Sequence, residues 1–233
     1  ADGHGLIYMA LGAAGTAVVR PHLAVLTVGA AVGAQLLRPT TRTPTSILVK
    51  VAGVAVLAGA IVVLAAQSAE FLELEETSWG ALSVEIERRS ALATQGGSAF
   101  EAVPIRSPLE FPPALITVLF RPFPWEATNP QLLVQGLEGM LLVGLFVASW
   151  RRLRSVPRLM RANPYVAFSV FYVLSFVWAF SNIGNFGILA RQRVLMLPLF
   201  LVVLALPALS ARVTARGSQA THTATPQAVS VRQ

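Results

Sequence analysis

Apolar residues are gathered into six runs along the chain, and these runs determine the predicted architecture. Each run has roughly 15 to 20 residues and almost no charge, close to the ~20 residues that cross a bilayer core as a helix. None shows the regular polar positions of a helix or strand in a soluble protein. The pattern predicts an all-α, polytopic integral membrane protein with about five to six transmembrane helices. The runs are 5–19, 23–37, 47–66, 132–150, 165–181 and 194–211.

The longest stretch between runs, 67–129, has a different composition and is predicted to be a large extracytoplasmic loop. It contains a set of apolar residues spaced as on one face of a helix, which predicts an amphipathic helix lying in the membrane interface. Further along, 115–125 is apolar and aromatic but interrupted by Pro122 and Pro124, which favours a re-entrant or interfacial segment. The residues on the amphipathic face are Leu72, Trp79, Leu82 and Ile86.

Composition supports the membrane prediction and excludes other classes. Hydrophobic residues make up 55% of the chain and charged residues 12%, against about 25% charged in soluble domains. There is no Cys, so disulfides, thiol catalysis and Cys-ligated metals are excluded. His4, His22 and His222 are scattered, so neither a metal nor a cofactor is predicted. The net charge is +7, but the charged residues lie between the apolar runs and do not form a basic surface of the kind that binds nucleic acid. The predicted partner is therefore a lipid bilayer and not nucleic acid.

The distribution of Lys and Arg predicts the orientation. Placing 38–50, 151–161 and the C-terminal tail in the cytoplasm puts eleven of the eighteen cations inside. We therefore expect one transmembrane domain over 1–212, multi-pass in the cell membrane, followed by a disordered cytoplasmic tail over 213–233. Six crossings place both ends inside, which fits a cleaved signal peptide poorly, so we expect the chain to be the C-terminal part of a longer protein.

The arginines left on the outer face are the first candidates for chemistry. They stand against the positive-inside tendency, and a bound anion would explain them, because arginine forks onto phosphate oxygens. The alternative is that they pair with loop glutamates or lipid headgroups. These residues are Arg20, Arg88, Arg89, Arg106, Arg121, Arg191 and Arg193.

Three further residues are candidates for catalysis. In the hexapeptide 121–126 two prolines fix the backbone, so that Glu126 can serve as a general base beside Arg121. The alternative is an interfacial aromatic anchor with an internal ion pair. Glu138 lies inside the fourth apolar run, where an ionisable group indicates function or a buried pair. His22 is a weaker candidate base.

Three short segments, 20–22, 121–126 and 185–193, resemble the O-antigen polymerase and ligase-like group of bacterial envelope-polysaccharide proteins, which are related to lipid-linked-sugar glycosyltransferases. The resemblance implies transfer or polymerisation of polyprenyl-diphosphate-linked sugars at the outer face. It also implies a polyprenyl-linked glycan as partner, with outer-face arginines holding the diphosphate. On this chain that role falls to Arg121, Arg191, Arg193 and Arg20.

Two other functions remain open. Glu138 and the prolines of the last apolar run suit half of a transporter or flippase, because buried acids and broken helices mark substrate paths. A non-catalytic scaffold, with the outer loop as a docking surface, is the third possibility. Whether the chain is an enzyme is therefore left open by the sequence.

Overall fold

The computed structural model describes residues 3–37, 39, 47, 50, 51, 54, 55, 59 and 98–206. Within these ranges the chain is helical and has no strand beyond one isolated bridge between Ala99 and Asn185, which confirms the all-α prediction. Most of the 47–66 run, the amphipathic segment around 72–86 and the 213–233 tail lie outside the described residues. The helices are α1 (Gly3–Val19), α2 (Pro21–Leu37), α3 (Phe111–Phe120), α4 (Pro130–Ala148), α5 (Trp150–Leu153), α6 (Val156–Ala162), α7 (Pro164–Phe180), α8 (Phe186–Arg193) and α9 (Leu197–Leu204).

Asparagine–proline pairs start two of the long helices. The side chain of Asn129 accepts from the Leu132 amide at 2.9 Å at the start of α4, and Asn163 accepts from the Tyr165 amide at 3.0 Å at the start of α7. In each case proline follows as the first helical residue, where its missing amide proton costs nothing. The apolar runs that begin at 132 and 165 therefore mark these helices to within two residues.

The core is built around α3, with α2 and α7 packed closely against each other. Ala114 and Val118 of α3 are fully buried. The Phe120 ring lies 5.6 Å from Phe146 and 6.3 Å from Phe200, both in edge-to-face geometry, which is a favoured arrangement of aromatic rings. Since α3 has ten residues, or about 15 Å of helix, it is too short to cross a bilayer. The segment predicted to be re-entrant thus contains a short, deeply packed helix.

Few of the described helices have the full length of a membrane span. Helix α4 is 19 residues long and apolar enough to cross a bilayer, and α8 with α9 would form a second crossing if the bent pair counts as one span. Helices α2 and α7 are apolar but have 17 residues each, or about 26 Å.

The structure corrects the prediction for the end of the chain. The gap between the apolar runs 165–181 and 194–211 predicts a loop over 182–193, but 186–193 form α8, and the next helix begins only at 197. The two helices α8 and α9 meet at an angle of 65°. Helix α8 forms because the Asn185 side chain accepts a hydrogen bond from the Ile188 amide at 3.1 Å and so caps the helix start. The pattern of apolar residues does not reveal this helix.

The segment 150–162, which we call the arginine segment, is also helical rather than a simple loop. It consists of α5 and α6, joined by a turn at Arg154 and Ser155. Val156 and Leu159 face inward, whereas Arg151 and Arg158 are exposed. The segment is therefore amphipathic, with its apolar side against the bundle.

Candidate functional site

The hexapeptide 121–126 folds into a compact turn held by its own two charges. Arg121 Nε donates to both carboxylate oxygens of Glu126, at 2.8 and 3.2 Å, and Arg121 Nη2 makes an ion pair with the same carboxylate. The Phe123 amide also donates to Glu126, at 2.7 Å. Partial burial raises the pKa of Glu126, but the Arg121 hydrogen bonds and charge and the Phe123 amide outweigh it, so the pKa lies below its ordinary value. A carboxylate held in this way is a weak base.

Two glycines of α4 let this turn pack directly on the helix backbone. A Cβ on Gly136 would lie 2.8 Å from the Pro124 nitrogen. A Cβ on Gly139 would overlap the Phe120 carbonyl oxygen and lie 3.0 Å from that of Pro122. Small residues three apart on one helix face allow this kind of close approach. The turn is therefore fixed along α4 rather than projecting from the fold.

A second contact joins the segment before α3 to the start of α8. The Phe100 amide donates to the Gly184 carbonyl at 2.9 Å, and the Phe186 amide donates to the Ser98 carbonyl at 3.0 Å. The Ser98 hydroxyl donates to Asn185 Oδ1 at 3.0 Å. These bonds tie residues 98–100 to the α8 N-terminus, although the two are far apart in sequence.

Arg121 lies against the aromatic pair that this contact creates. The rings of Phe100 and Phe186 stack with their centroids 4.1 Å apart. The Arg121 guanidinium carbon is 4.9 Å from the first centroid and 5.1 Å from the second, within cation–π range. The Arg121 side chain is thus fully engaged, by a carboxylate and by two rings.

Arg193, at the end of α8, is almost completely buried, with 2% of its surface exposed. Its Nε donates to the Val118 carbonyl at 3.2 Å, and its Nη2 donates to the carbonyl of Arg121. Both carbonyls belong to the C-terminal end of α3, where helix carbonyls lack partners within the helix. A buried cation there satisfies them and faces the negative end of the helix dipole. Arg193 therefore holds the end of α3 against α8.

Two polar side chains lie three residues apart in the apolar helix α4. The Glu138 carboxylate acts electrostatically on Arg193, and its side chain is exposed. Gln135, three residues earlier, has a buried Oε1 without a hydrogen-bond partner in the described part of the chain. Residues three apart share a helix face, so α4 carries an amide and a carboxylate side by side within an apolar helix.

The turn between α1 and α2 meets the other end of α8. Arg20 Nη1 donates to Gln192 Oε1 at 3.4 Å, which places Arg20 beside the last turn of α8. Arg20 and Arg191 are both exposed. His22, also exposed, lies in the first turn of α2. Arg20 and Arg191 therefore remain accessible to a ligand, unlike Arg121 and Arg193.

The predicted site residues thus gather around α8, but they divide into two kinds. Arg20 and Arg191 are open to solvent, whereas Arg121, Glu126 and Arg193 bond to the protein itself. Sequence reasoning missed the partners that arrange them. The missed residues are Ser98, Phe100, Asn185, Phe186 and Gln192. Asparagine before an apolar residue was the one available signal, because it marks a helix start.

No group of three or more His, Cys, Asp or Glu side chains able to hold a metal occurs among the described residues. No protein-family model, curated protein or solved structure matches the chain. The functional argument therefore depends on the geometry around α8 and on the sequence resemblance.

Proposed function

We propose that this chain is embedded in a cell membrane and transfers or polymerises polyprenyl-diphosphate-linked sugars. The observation that carries the proposal is that the four arginines assigned to the diphosphate by resemblance lie on or beside one short helix, α8. Arg191 and Arg193 lie on α8 itself. The carbonyl of Arg121 accepts from Arg193, and Arg20 donates to Gln192. Arg20 and Gln192 are more than 170 residues apart in the sequence, so distant parts of the chain meet at this helix.

The exposed surface of α4 supports embedding in a membrane. Val134, Leu137, Leu141 and Val147 each expose between 58% and 67% of their surface. In water such surface costs about 25 cal/mol per Å², and contiguous exposed apolar surface of this kind indicates a partner or a membrane. In our proposal the crossing segments are α1, α2, the 47–66 run, α4, α7 and the 194–211 run that contains α9, with α8 and the arginines around it on the outer face.

The arginines have separate roles in this proposal. Arg20 and Arg191 are exposed, so they bind the diphosphate oxygens. Arg121 and Arg193 direct their hydrogen bonds to the protein, so they position α8 and the 121–126 turn around the ligand. This positioning favours binding, because a site whose side chains are already ordered loses less entropy when the ligand binds.

The reaction requires a leaving group, a nucleophile and a base. An acceptor hydroxyl attacks the anomeric carbon of the lipid-linked sugar, the bond from that carbon to the diphosphate oxygen breaks, and polyprenyl diphosphate leaves. Arg20 and Arg191 stabilise the charge that develops on the diphosphate. Glu138 accepts the hydroxyl proton in our proposal, because Glu126 is already bonded to Arg121. His22, two residues after Arg20, is the alternative base.

Binding of farnesyl diphosphate, a short soluble polyprenyl diphosphate, tests the arginine assignment directly. We expect Arg20→Gln and Arg191→Gln each to weaken binding by the purified chain about fivefold to tenfold, as for one lost charge-assisted contact of roughly 1 kcal/mol. Arg158→Gln removes the same charge from the arginine segment and should leave the affinity unchanged. Equal weakening by all three variants, or by none, would overturn the assignment.

Activity is tested separately with an undecaprenyl-diphosphate-linked oligosaccharide in proteoliposomes. Transfer predicts longer or newly attached glycans on a gel and release of undecaprenyl diphosphate. Glu138→Gln should abolish product while farnesyl diphosphate still binds. Full activity of this variant would remove Glu138 as the base, and His22→Gln would then be the variant to examine.

A transporter or flippase is the second candidate, favoured by the break between α8 and α9. The bend of 65° follows directly after the buried Arg193, and α4 carries Gln135 and Glu138 within an apolar helix. Broken helices and intramembrane polar groups mark substrate paths in transporters. Movement of the intact lipid-linked oligosaccharide across the proteoliposome membrane, without glycan transfer, would favour this candidate over the enzyme.

A further inference from the structure

An apolar cavity lies between the arginine segment and helices α3, α4, α7 and α9. Its volume is about 350 Å³, and every side chain that lines it is hydrocarbon, aromatic or thioether. Water in such a cavity would find almost no hydrogen-bond partners in the wall. The cavity therefore suits a hydrocarbon ligand. Its walls include Leu115, Leu119, Trp150, Met160, Val173 and Phe200.

The same segment that forms one wall of the cavity also carries five arginines. Trp150, Leu153 and Met160 face the cavity, and the intervening arginines are exposed. None of them pairs with a carboxylate within the described ranges. The arginines are Arg151, Arg152, Arg154, Arg158 and Arg161.

Arg154 connects the charged surface to the cavity. Its guanidinium carbon lies 6.0 Å from the centroid of the Trp150 ring, and Trp150 is part of the cavity wall. An anionic group bound by Arg154 would therefore stand beside the apolar cavity. The charge of the arginine segment and the character of the cavity together describe a ligand with an anionic head and a hydrocarbon tail.

We propose that this site binds an anionic phospholipid, with one acyl chain in the cavity and the phosphate held by Arg154. Arginine forks onto phosphate oxygens, and basic clusters next to membrane helices recruit anionic lipids. A neutral phospholipid would fill the cavity but leave the arginines without a counter-charge. A free phosphate would satisfy the arginines but leave the cavity unfilled.

This inference rests on the membrane embedding proposed above, but not on the sugar-transfer reaction. The residues involved are different from those assigned to the polyprenyl diphosphate. Lipid binding is measured without any polyprenyl substrate, so its failure leaves the diphosphate proposal untouched. Conversely, if the Arg20→Gln and Arg191→Gln variants still bind farnesyl diphosphate and the phospholipid with unchanged affinity, only the diphosphate assignment is contradicted.

The test is a titration of the full chain, purified in dodecyl maltoside and freed of lipid, with dioleoyl-phosphatidylglycerol or dioleoyl-phosphatidylcholine. Bound lipid is counted by native mass spectrometry, and glycerol 3-phosphate serves as the soluble phosphate probe. We expect one phosphatidylglycerol per chain, bound about tenfold more tightly than phosphatidylcholine, and no competition by glycerol 3-phosphate. Equal affinity for the two lipids, or effective competition by the soluble phosphate, would overturn the proposal.

Variants separate the specific site from general attraction between charges. Arg154→Gln should weaken phosphatidylglycerol binding about fivefold, whereas Arg152→Gln, which removes the same charge from the same segment, should change it less than about twofold. Equal loss in both variants would show a diffuse charge effect and contradict the proposed site.

Filling the cavity tests the position of the acyl chain. Met160→Trp should reduce binding of both lipids, because the larger ring occupies the cavity. Val170→Phe fills the same cavity from α7 and takes its place if Met160→Trp does not fold, as judged by helical circular dichroism. Unchanged lipid binding in a folded cavity-filling variant would refute the proposal.

Discussion

The close packing of α4 on the end of α3 predicts an unusual effect of one added methyl group. In the interior of a helix, Gly→Ala normally stabilises by about 0.5–1 kcal/mol, because alanine loses less backbone entropy. At Gly139 the new Cβ would overlap the carbonyl oxygen of Phe120 and approach that of Pro122 to 3.0 Å. Both neighbours are main-chain atoms and cannot rotate away as a flexible side chain would.

The expected magnitude follows from these opposing effects. Forcing an extra methyl group into a packed site typically costs about 1–3 kcal/mol, which exceeds the gain in helix propensity. Gly139→Ala should therefore be less stable than the native chain by about 1–2 kcal/mol. Gly144, in the same helix, has nothing among the described residues within 4 Å of the point where a Cβ would lie, so Gly144→Ala should be neutral or slightly stabilising.

Thermal unfolding in dodecyl maltoside, followed by tryptophan fluorescence, measures the difference. For a chain of this size, 1 kcal/mol corresponds to about 2–4 °C in Tm, so we expect Gly139→Ala to unfold about 2–8 °C earlier than the native chain. Gly144→Ala controls for the effect of the methyl group on the helix itself. Equal melting temperatures for the two variants would refute the packing of the 121–126 turn and the α3 end on α4.

Two further predictions concern the charges that hold this region together. Arg193→Met should lower the free energy of unfolding by about 2–3 kcal/mol, because the Val118 and Arg121 carbonyls lose a charged donor. Arg161→Met, at an exposed arginine, should change the melting temperature little. A similar loss of stability in both variants would contradict the role of Arg193 as a buried donor. The lowered pKa of Glu126 means that its contribution to stability is present above its ordinary value of 4.5 and is lost as the pH falls through the lower folded-state value. Stability measured between about pH 6 and pH 3 should therefore fall less steeply in Glu126→Gln than in the native chain, and parallel curves would show that the ion pair does not contribute.

Part of the fold was visible in the sequence because it depends on local chemistry. Apolar runs preceded by Asn–Pro mark α4 and α7, since the cap and the proline act on neighbouring residues. Helix α8 was missed because it is short and polar at its C-terminal end, so its apolar pattern is weak. Asn185 caps this helix, a role that the pattern of apolar residues does not show.

The arrangement of the site was less predictable because its partners are distant in sequence. The carbonyls that bind Arg193 lie 72 and 75 residues earlier in the chain, and no local pattern shows that this arginine is buried. The ion pair between Arg121 and Glu126 was foreseen as the alternative to catalysis, because the two residues are five apart in a rigid turn. Gly136 and Gly139 admit the backbone of another segment, a role that their positions in the sequence of α4 do not show.

The most direct test of the central claim is the position of two exposed sites relative to the membrane. The chain has no Cys, so Glu101→Cys, beside the segment tied to α8, and Ala162→Cys, at the end of the arginine segment, can each be probed with a membrane-impermeant maleimide in intact cells. The proposal predicts membrane-associated protein that is labelled at 101 but not at 162, and labelled at both sites once the cells are permeabilised. Labelling at 162 but not at 101 would place the arginines of α8 inside the cell, and recovery of the chain in the aqueous fraction would contradict membrane embedding itself.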